Sequence, residues 1–271
     1  MIRSSTAIAQ LPLTTPSSPS LCSGAPAPTT PLRFGAVPIT ETTSFPPAPS
    51  RHCWIYLTLN AEIAQSVPTN RTLRDLVQQD RARVSVDGQW LWWALRRKYP
   101  GRTLCKMAGS DLIYQLASHC ARQQRRLLLV GSTPAINAQA VMRLRRQYPS
   151  LAIAGFAPAA YQPGSLDEDA AMAATHQAVE AFEPDYVVLG LGAGKEQRMS
   201  ARLAPLLDGQ VTGLLCFGGA IDMASGRVRR APRWMQRSGL EGLYRVWQQP
   251  ARMLRLLRVL RVLPSLATGR Y

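Results

Sequence analysis

The chain has 271 residues, 46% of them hydrophobic, enough for one domain of ordinary size with a substantial core, which excludes a wholly disordered protein. Its formal net charge is +16, and after Gly226 eleven arginines face a single acid, Glu241, so the tail alone holds +10 of that total. So concentrated a field calls for a partner bearing phosphates or anionic headgroups. The lack of any apolar run of about 18 residues excludes a membrane-spanning helix.

In chain order, residues 1–32 read as a disordered leader rich in Pro, Ser and Thr, since ten of the 21 prolines fall within the first fifty residues. No compact apolar stretch precedes those prolines, so a secretory signal is not expected. From Cys53 onward short apolar runs alternate with longer helical ones. The pattern predicts a strand at 53–59, a helix at 71–82, a short strand and turn at 83–88, and a helix at 109–124 entered through Ser110. A buried strand at 125–131 follows, then a helix through 135–149, a strand at 151–156 and a helix at 166–182. A strand at 185–192, a helix near 196–207 and a strand at 211–219 complete the series. Strands separated by helices predict βαβ units: an α/β, Rossmann-like, mainly parallel sheet covered by helices over residues 33–226. A basic helical C-terminal appendage is expected over 227–271.

Within that appendage Arg252, Arg255, Arg258 and Arg261 recur every third residue, mostly opposite Met253, Leu256, Leu257, Val259, Leu260 and Leu263. This is a basic amphipathic helix, suited to an anionic membrane surface, where each arginine contributes on the order of 1 kcal/mol. The plainer alternative is a helix packed on its own domain with a solvated arginine face. The five cysteines, Cys22, Cys53, Cys105, Cys120 and Cys216, are odd in number, widely spaced and without a C-x-x-C pair, which favours a reducing compartment and no zinc site.

In a parallel sheet the ligand crevice lies at the C-terminal strand ends. Asp87 sits there, on an Asp-Gly turn before Trp90, Trp92 and Trp93. Partial desolvation would suit it to general-base work, although an ordinary turn explains the same pair. "GLGAGKEQ" (190–197) departs from the phosphate-loop and dinucleotide patterns. It remains a glycine-rich strand-to-helix turn open to close ligand approach. Asp167 and Asp169 spell a D-x-D, yet Ser165 and Glu168 also fit a capping box, and acids belong in a helix's first turn. His52, His119 and His176 are isolated and suggest no triad.

Taken together, "TLN" (58–60), "VDG" (86–88), "AGSDL" (108–112), "GLGAGKEQ" (190–197), "FGGAIDMASGRVRRAPRWMQRSGLEGLYRV" (217–246) and "QPARMLR" (249–255) resemble the WecG/TagA/CpsF glycosyltransferases, over about residues 55–258. The resemblance implies a bacterial, metal-independent, inverting enzyme with no cofactor. It would move a sugar from a UDP-sugar donor to an undecaprenyl-diphosphate-linked saccharide for a surface polysaccharide. It also implies a cytoplasmic protein held peripherally on the inner face of the cytoplasmic membrane. Asp87 would be the base, and Thr58 and Asn60 would line the acceptor side. Gly131, Gly190, Gly192, Glu196, Gln197, Arg229, Arg230 and Arg233 would bind the nucleotide, the arginines near its diphosphate. Arg252, Arg255, Arg258 and Arg261 would touch the membrane. The chain departs from the family pattern at Gly194–Gln197, where acid and amide are exchanged, at Lys106 in place of arginine, and at Gly242 in place of tryptophan. "RFGAVPIT" (33–40) resembles the family's first strand, but the helix expected next is replaced by "ETTSFPPAPS".

Two other readings stay open at this point: a catalytically degenerate, membrane-associated partner of polysaccharide assembly, and a basic nucleic-acid-binding protein. The tail's broad leucine face argues against nucleic acid as the partner. Donor sugar, acceptor glycan and oligomeric state, a homo-oligomer included, are not legible in the residues.

Overall fold

A computed structural model of the protein describes residues 32–40, 45–102, 104–192 and 194–250, together with Met253 and Leu257. The leader expected over 1–32 lies outside the described residues except for Leu32, as do Arg252, Arg255, Arg258 and Arg261.

A two-stranded hairpin comes first, β1 (Arg33–Phe34) pairing antiparallel with β2 (Val37–Pro38). The stretch read as a first strand therefore stays outside the main sheet. Its Leu32, Phe34, Val37 and Ile39 are buried, and the Thr40 N–H donates to the Val84 carbonyl at 2.8 Å, so the hairpin covers the outer edge of the sheet. Shielding an edge in this way withholds a row of unpaired backbone groups from other chains.

The main sheet has six parallel strands: β3 (Trp54–Leu59), β4 (Ala82–Val86), β5 (Arg126–Gly131), β6 (Ala152–Phe156), β7 (Tyr186–Gly190) and β8 (Gly213–Cys216), in the order β4-β3-β8-β7-β5-β6. All six residues of β3 are buried, as befits a strand covered on both faces. Alternation along the strands assigns the two cores. Leu57, Leu59, Leu128, Val130, Val187 and Leu214 face one layer, and Trp54, Tyr56, Leu127, Leu129, Val188 and Leu215 the other.

The first layer is built from α1 (Ala61–Ser66), α2 (Arg71–Val77), α3 (Gln89–Lys98), α6 (Leu166–Phe182) and α7 (Lys195–Leu203). The second comprises α4 (Gly109–Arg122), α5 (Pro134–Gln147) and α8 (Ala220–Ala224). Two short tail helices follow, α9 (Arg233–Arg237) and α10 (Glu241–Gln248).

Three expectations about the helices need correction. The helix expected over 71–82 stops at Val77, because Arg81 is drawn to Asp208 (3.0 and 3.2 Å) at the base of the sheet and Ala82 begins β4. Ser165 forms no capping box: its hydroxyl donates to the Gln162 carbonyl. Glu168 is buried instead against Arg198, at 2.9 Å from two guanidinium nitrogens, and those hydrogen bonds hold its carboxyl below the usual range. Helix α4 begins at Gly109 as expected, but Ala108 and not Ser110 stands at its N-cap. Helices α1 and α3 went unread in the sequence, α3 because its start follows Gly88 at φ +88° and its tryptophans follow no clean amphipathic period. Cys53, Cys120 and Cys216 are buried free thiols, whereas Cys105 is disulfide-bonded, which departs from the uniformly reduced set expected.

Candidate active site

Starting from β3, the chain runs outward to β4, crosses to the far half for β5 and β6, and returns through β7 and β8. The C-terminal ends of β3, β4, β7 and β8 thus meet where the order reverses, the usual place for a crevice in such sheets. A cavity of about 510 Å³ opens there, roofed by the tail segment 239–246. Trp90 of α3 fastens that roof: its indole N–H donates to the Gly239 carbonyl at 3.0 Å. A Cβ at Gly239 would lie 2.9 Å from the same indole, at φ +75°, so glycine is required for the close approach.

Asp87 leaves β4 with its N–H donating to the Leu59 carbonyl at 2.7 Å, which ties its turn to the end of β3. Its carboxyl is half-buried in the cleft wall. Burial, and secondarily the charge of Glu241, push its pKa from 3.8 up to about 6, against the opposing pull of Arg245, Arg230 and the Gly88 N–H. A carboxylate that holds a proton so firmly, yet is mostly ionised at neutral pH, suits proton abstraction.

Thr58 and Asn60 also line the cleft. The Thr58 hydroxyl donates to the Cys216 carbonyl (3.4 Å), and the Asn60 side chain caps α1 by accepting from the Ile63 N–H (3.0 Å). Gly190 at the end of β7 and Gly192 in the loop beyond it line the cleft, as does Glu196 from the first turn of α7, where its carboxylate accepts from the Gly218 N–H (3.1 Å) and the Gln197 amide (3.2 Å). Gln197 stands behind Glu196, with its side-chain oxygen on the Gly194 N–H at 2.6 Å. Gly131 does not line the cleft. A Cβ there would lie 2.6 Å from the Gly190 carbonyl, so that glycine serves the packing of β5 on β7.

The tail arginines are placed differently from one another. The Arg229 backbone exchanges hydrogen bonds with the Gln248 side chain (2.7 and 2.9 Å), and Arg233 begins α9 with an exposed side chain. Arg230 binds Asp111 (2.8 Å), Glu241 (3.0 Å) and the Ser110 hydroxyl, pinning the tail to the start of α4. None of the three lines the cleft, whereas Arg245 does. Arg245 reaches Glu241 through two nitrogens, at 2.8 and 3.2 Å. Burial alone would raise the Glu241 carboxyl, but Arg230 and then Arg245 hold it below its usual range. For Asp111 burial prevails over Arg230 and lifts the carboxyl.

Arg245, Glu241, Trp90 and Asp222 carry no site role in the sequence reading. Asp222, which accepts from the Ser132 hydroxyl at 2.8 Å, lines the cleft inside a quoted motif, and Arg245 follows Glu241 at the i,i+4 spacing that signals a helix-face pair. Among the described residues no group of three His, Cys, Asp or Glu side chains is gathered to hold a metal ion, and no helix is long and apolar enough to cross a membrane.

A six-stranded parallel sheet flanked by helices, with a crevice at its switch point, defines a Rossmann-like α/β protein whose cleft presents an aspartate of raised proton affinity. The sequence model of the Glycosyl transferase WecG/TagA/CpsF family matches residues 47–269, and the chain belongs to that family, whose glycosyltransferases act in cell-surface polysaccharide biosynthesis.

Proposed function

We propose that the cleft transfers a sugar from a UDP-sugar to a lipid-linked saccharide by a single displacement, with inversion and without a metal. Asp87 takes the proton of the acceptor hydroxyl as that oxygen forms its bond to the sugar's anomeric carbon. The bond from that carbon to the diphosphate breaks on the opposite face, and the electron pair leaves with UDP. The charge gathering on UDP is met by Arg245 on the cleft wall, a preorganised cation in a partly water-excluded site. The observation that carries the reading is the Asp87 carboxyl, raised to about 6 in the wall of that cleft. The acceptor side falls to Thr58 and Asn60, and the donor side to Gly190, Gly192 and Glu196.

Membrane attachment belongs to the tail. Trp247 (77% exposed), Trp234 (63%) and Leu243 lie on the surface of the same segment that carries the arginines, a composition suited to a bilayer interface at the inner face of the cytoplasmic membrane. The core (33–226) would thus carry the base, while the appendage (227–271) would serve membrane docking and complete the cleft with Arg245.

The test is to incubate the protein with membranes carrying lipid-linked acceptor and a panel of UDP-sugars, and to follow products by mass. Growth of the acceptor by one sugar with release of UDP is expected. No product with any donor would sink the enzymatic reading and favour a degenerate assembly partner. Salt-sensitive retention of RNA or DNA in its place would favour a nucleic-acid-binding protein.

A further inference from the structure

Glu241 is the only acid in the arginine-dense tail, and its surroundings are unlike those of a surface residue. One oxygen, Oε1, accepts from Nη1 of Arg230 at 3.0 Å and from Nε and Nη2 of Arg245 at 3.2 and 2.8 Å. Arg230 is anchored in turn to the core, on Asp111 and the Ser110 hydroxyl at the start of α4. A chain of contacts therefore runs from α4 through Arg230 to Glu241 and on to Arg245, which lines the cleft, as does Glu241. The three side chains are about a quarter exposed, so the ion pairs are shielded well beyond a surface contact.

We propose that Glu241 is a positioning residue of the transfer site: by gathering Arg230 and Arg245 on one carboxylate oxygen it fixes Arg245 on the cleft wall and sets a negative charge toward Asp87. The inference rests on the transfer reading above and extends it to a residue that acts through Arg245 and Asp87. Docking of the tail then does two things together. It brings a cation to where UDP charge develops, and it strengthens the hold of the base on its proton. The groups that act on Asp87 are Glu241 and Arg245 of α10, Arg230 of the preceding segment and the N–H of Gly88, while Lys106 acts on Glu241 and Glu241 in turn on Asp111. Glu241 opposes ionisation of Asp87, and the two arginines favour it. Without Glu241, Arg245 is released and its pull on Asp87 is lost, but Glu241 is the stronger of the two and Arg230 stays held by Asp111 and Ser110, so the Asp87 midpoint still falls.

The experiment uses the full chain, with UDP as probe, and compares wild type with Glu241→Gln and Glu241→Asp. The Asp87 carboxyl is followed by NMR of carboxyl-labelled protein, assigned with Asp87→Asn, and UDP affinity by calorimetry. In Glu241→Gln the Asp87 midpoint should fall below about 6 by on the order of one pH unit, and UDP should bind about tenfold more weakly. In Glu241→Asp, which keeps the charge but shortens the reach, the midpoint should stay near that of wild type while UDP binding is only partly recovered. A structural role alone would lower stability without moving the midpoint. An unmoved midpoint in Glu241→Gln, or UDP binding equal to or tighter than wild type, overturns the proposal. Should Glu241→Gln not fold, wild-type UDP affinity in Glu241→Asp overturns it equally. Neither measurement requires turnover, so failure of the wild type to transfer sugar would strike the proposed function and leave this result interpretable.

Discussion

Replacing Asp87 with asparagine should make the protein more stable at neutral pH while removing its base. In the native state burial and Glu241 lift the Asp87 pKa from 3.8 to about 6. A group whose folded pKa is raised contributes its full stability below the unfolded value and loses it as pH rises through the folded one. Below pH 4 Asp87 is therefore protonated in both states and costs nothing. Above pH 7 it is ionised in both, and the folded state carries the whole penalty. A shift of about two units at ~1.4 kcal/mol each gives ~3 kcal/mol, an upper figure because the carboxyl keeps some contact with solvent. Asparagine has nearly the same shape and never ionises. At pH 7.5 Asp87→Asn should therefore exceed wild type by about 2–3 kcal/mol, or roughly 4–12 °C in Tm for a chain of this size. The gain should shrink across pH 6 to 4 and vanish below it. Urea or thermal unfolding of both proteins at matched pH between 3.5 and 8 provides the comparison. A variant less stable than wild type at pH 7.5, or a difference independent of pH, would refute the reasoning.

The same pKa fixes an acid limb: kcat/KM for transfer should rise about tenfold per unit below pH 6 and level off above it, and a limb near pH 4 would remove Asp87 from the role. Gly239→Ala places a methyl group 2.9 Å from the Trp90 indole at a left-handed backbone position. It should cost about 1–3 kcal/mol of tail docking, change tryptophan fluorescence and lower transfer; unchanged fluorescence and rate would contradict the roof described here. Deleting residues 227–271 removes Arg245, Glu241 and the exposed tryptophans together. It should abolish both transfer and sedimentation with anionic vesicles, and a fully active truncation would sink the dependence of the site on the tail.

Much of the fold could be read from hydrophobic pattern. The strands at β3, β5 and β7 are short apolar runs with polar flanks, and each fell where it was expected, because a strand buried on both faces leaves an unmistakable run. Helix α3 escaped because tryptophans at 90, 92 and 93 blur the helical period, and only the packed structure puts Leu91 and Leu95 inside while Trp90 holds the roof. Asp87 could be singled out as a lone carboxylate at a strand end, but its raised proton affinity comes from burial in the folded cleft wall and secondarily from Glu241, 154 residues away in the sequence. Charge density in the tail drew attention to Arg229, Arg230 and Arg233. Density cannot say which arginine faces the cleft. That depends on the Asp111 and Ser110 contacts that turn Arg230 toward α4, and on the helical spacing that brings Arg245 beside Glu241.

The most direct measurement is sugar transfer by wild type and Asp87→Asn, with UDP affinity determined on the same preparations. Transfer should fall by at least about a thousandfold in Asp87→Asn while UDP affinity stays within a few-fold of wild type, as expected when a base is lost from an intact cleft. Retained turnover in Asp87→Asn, with UDP still bound, would contradict the assignment of Asp87 and with it the proposed mechanism.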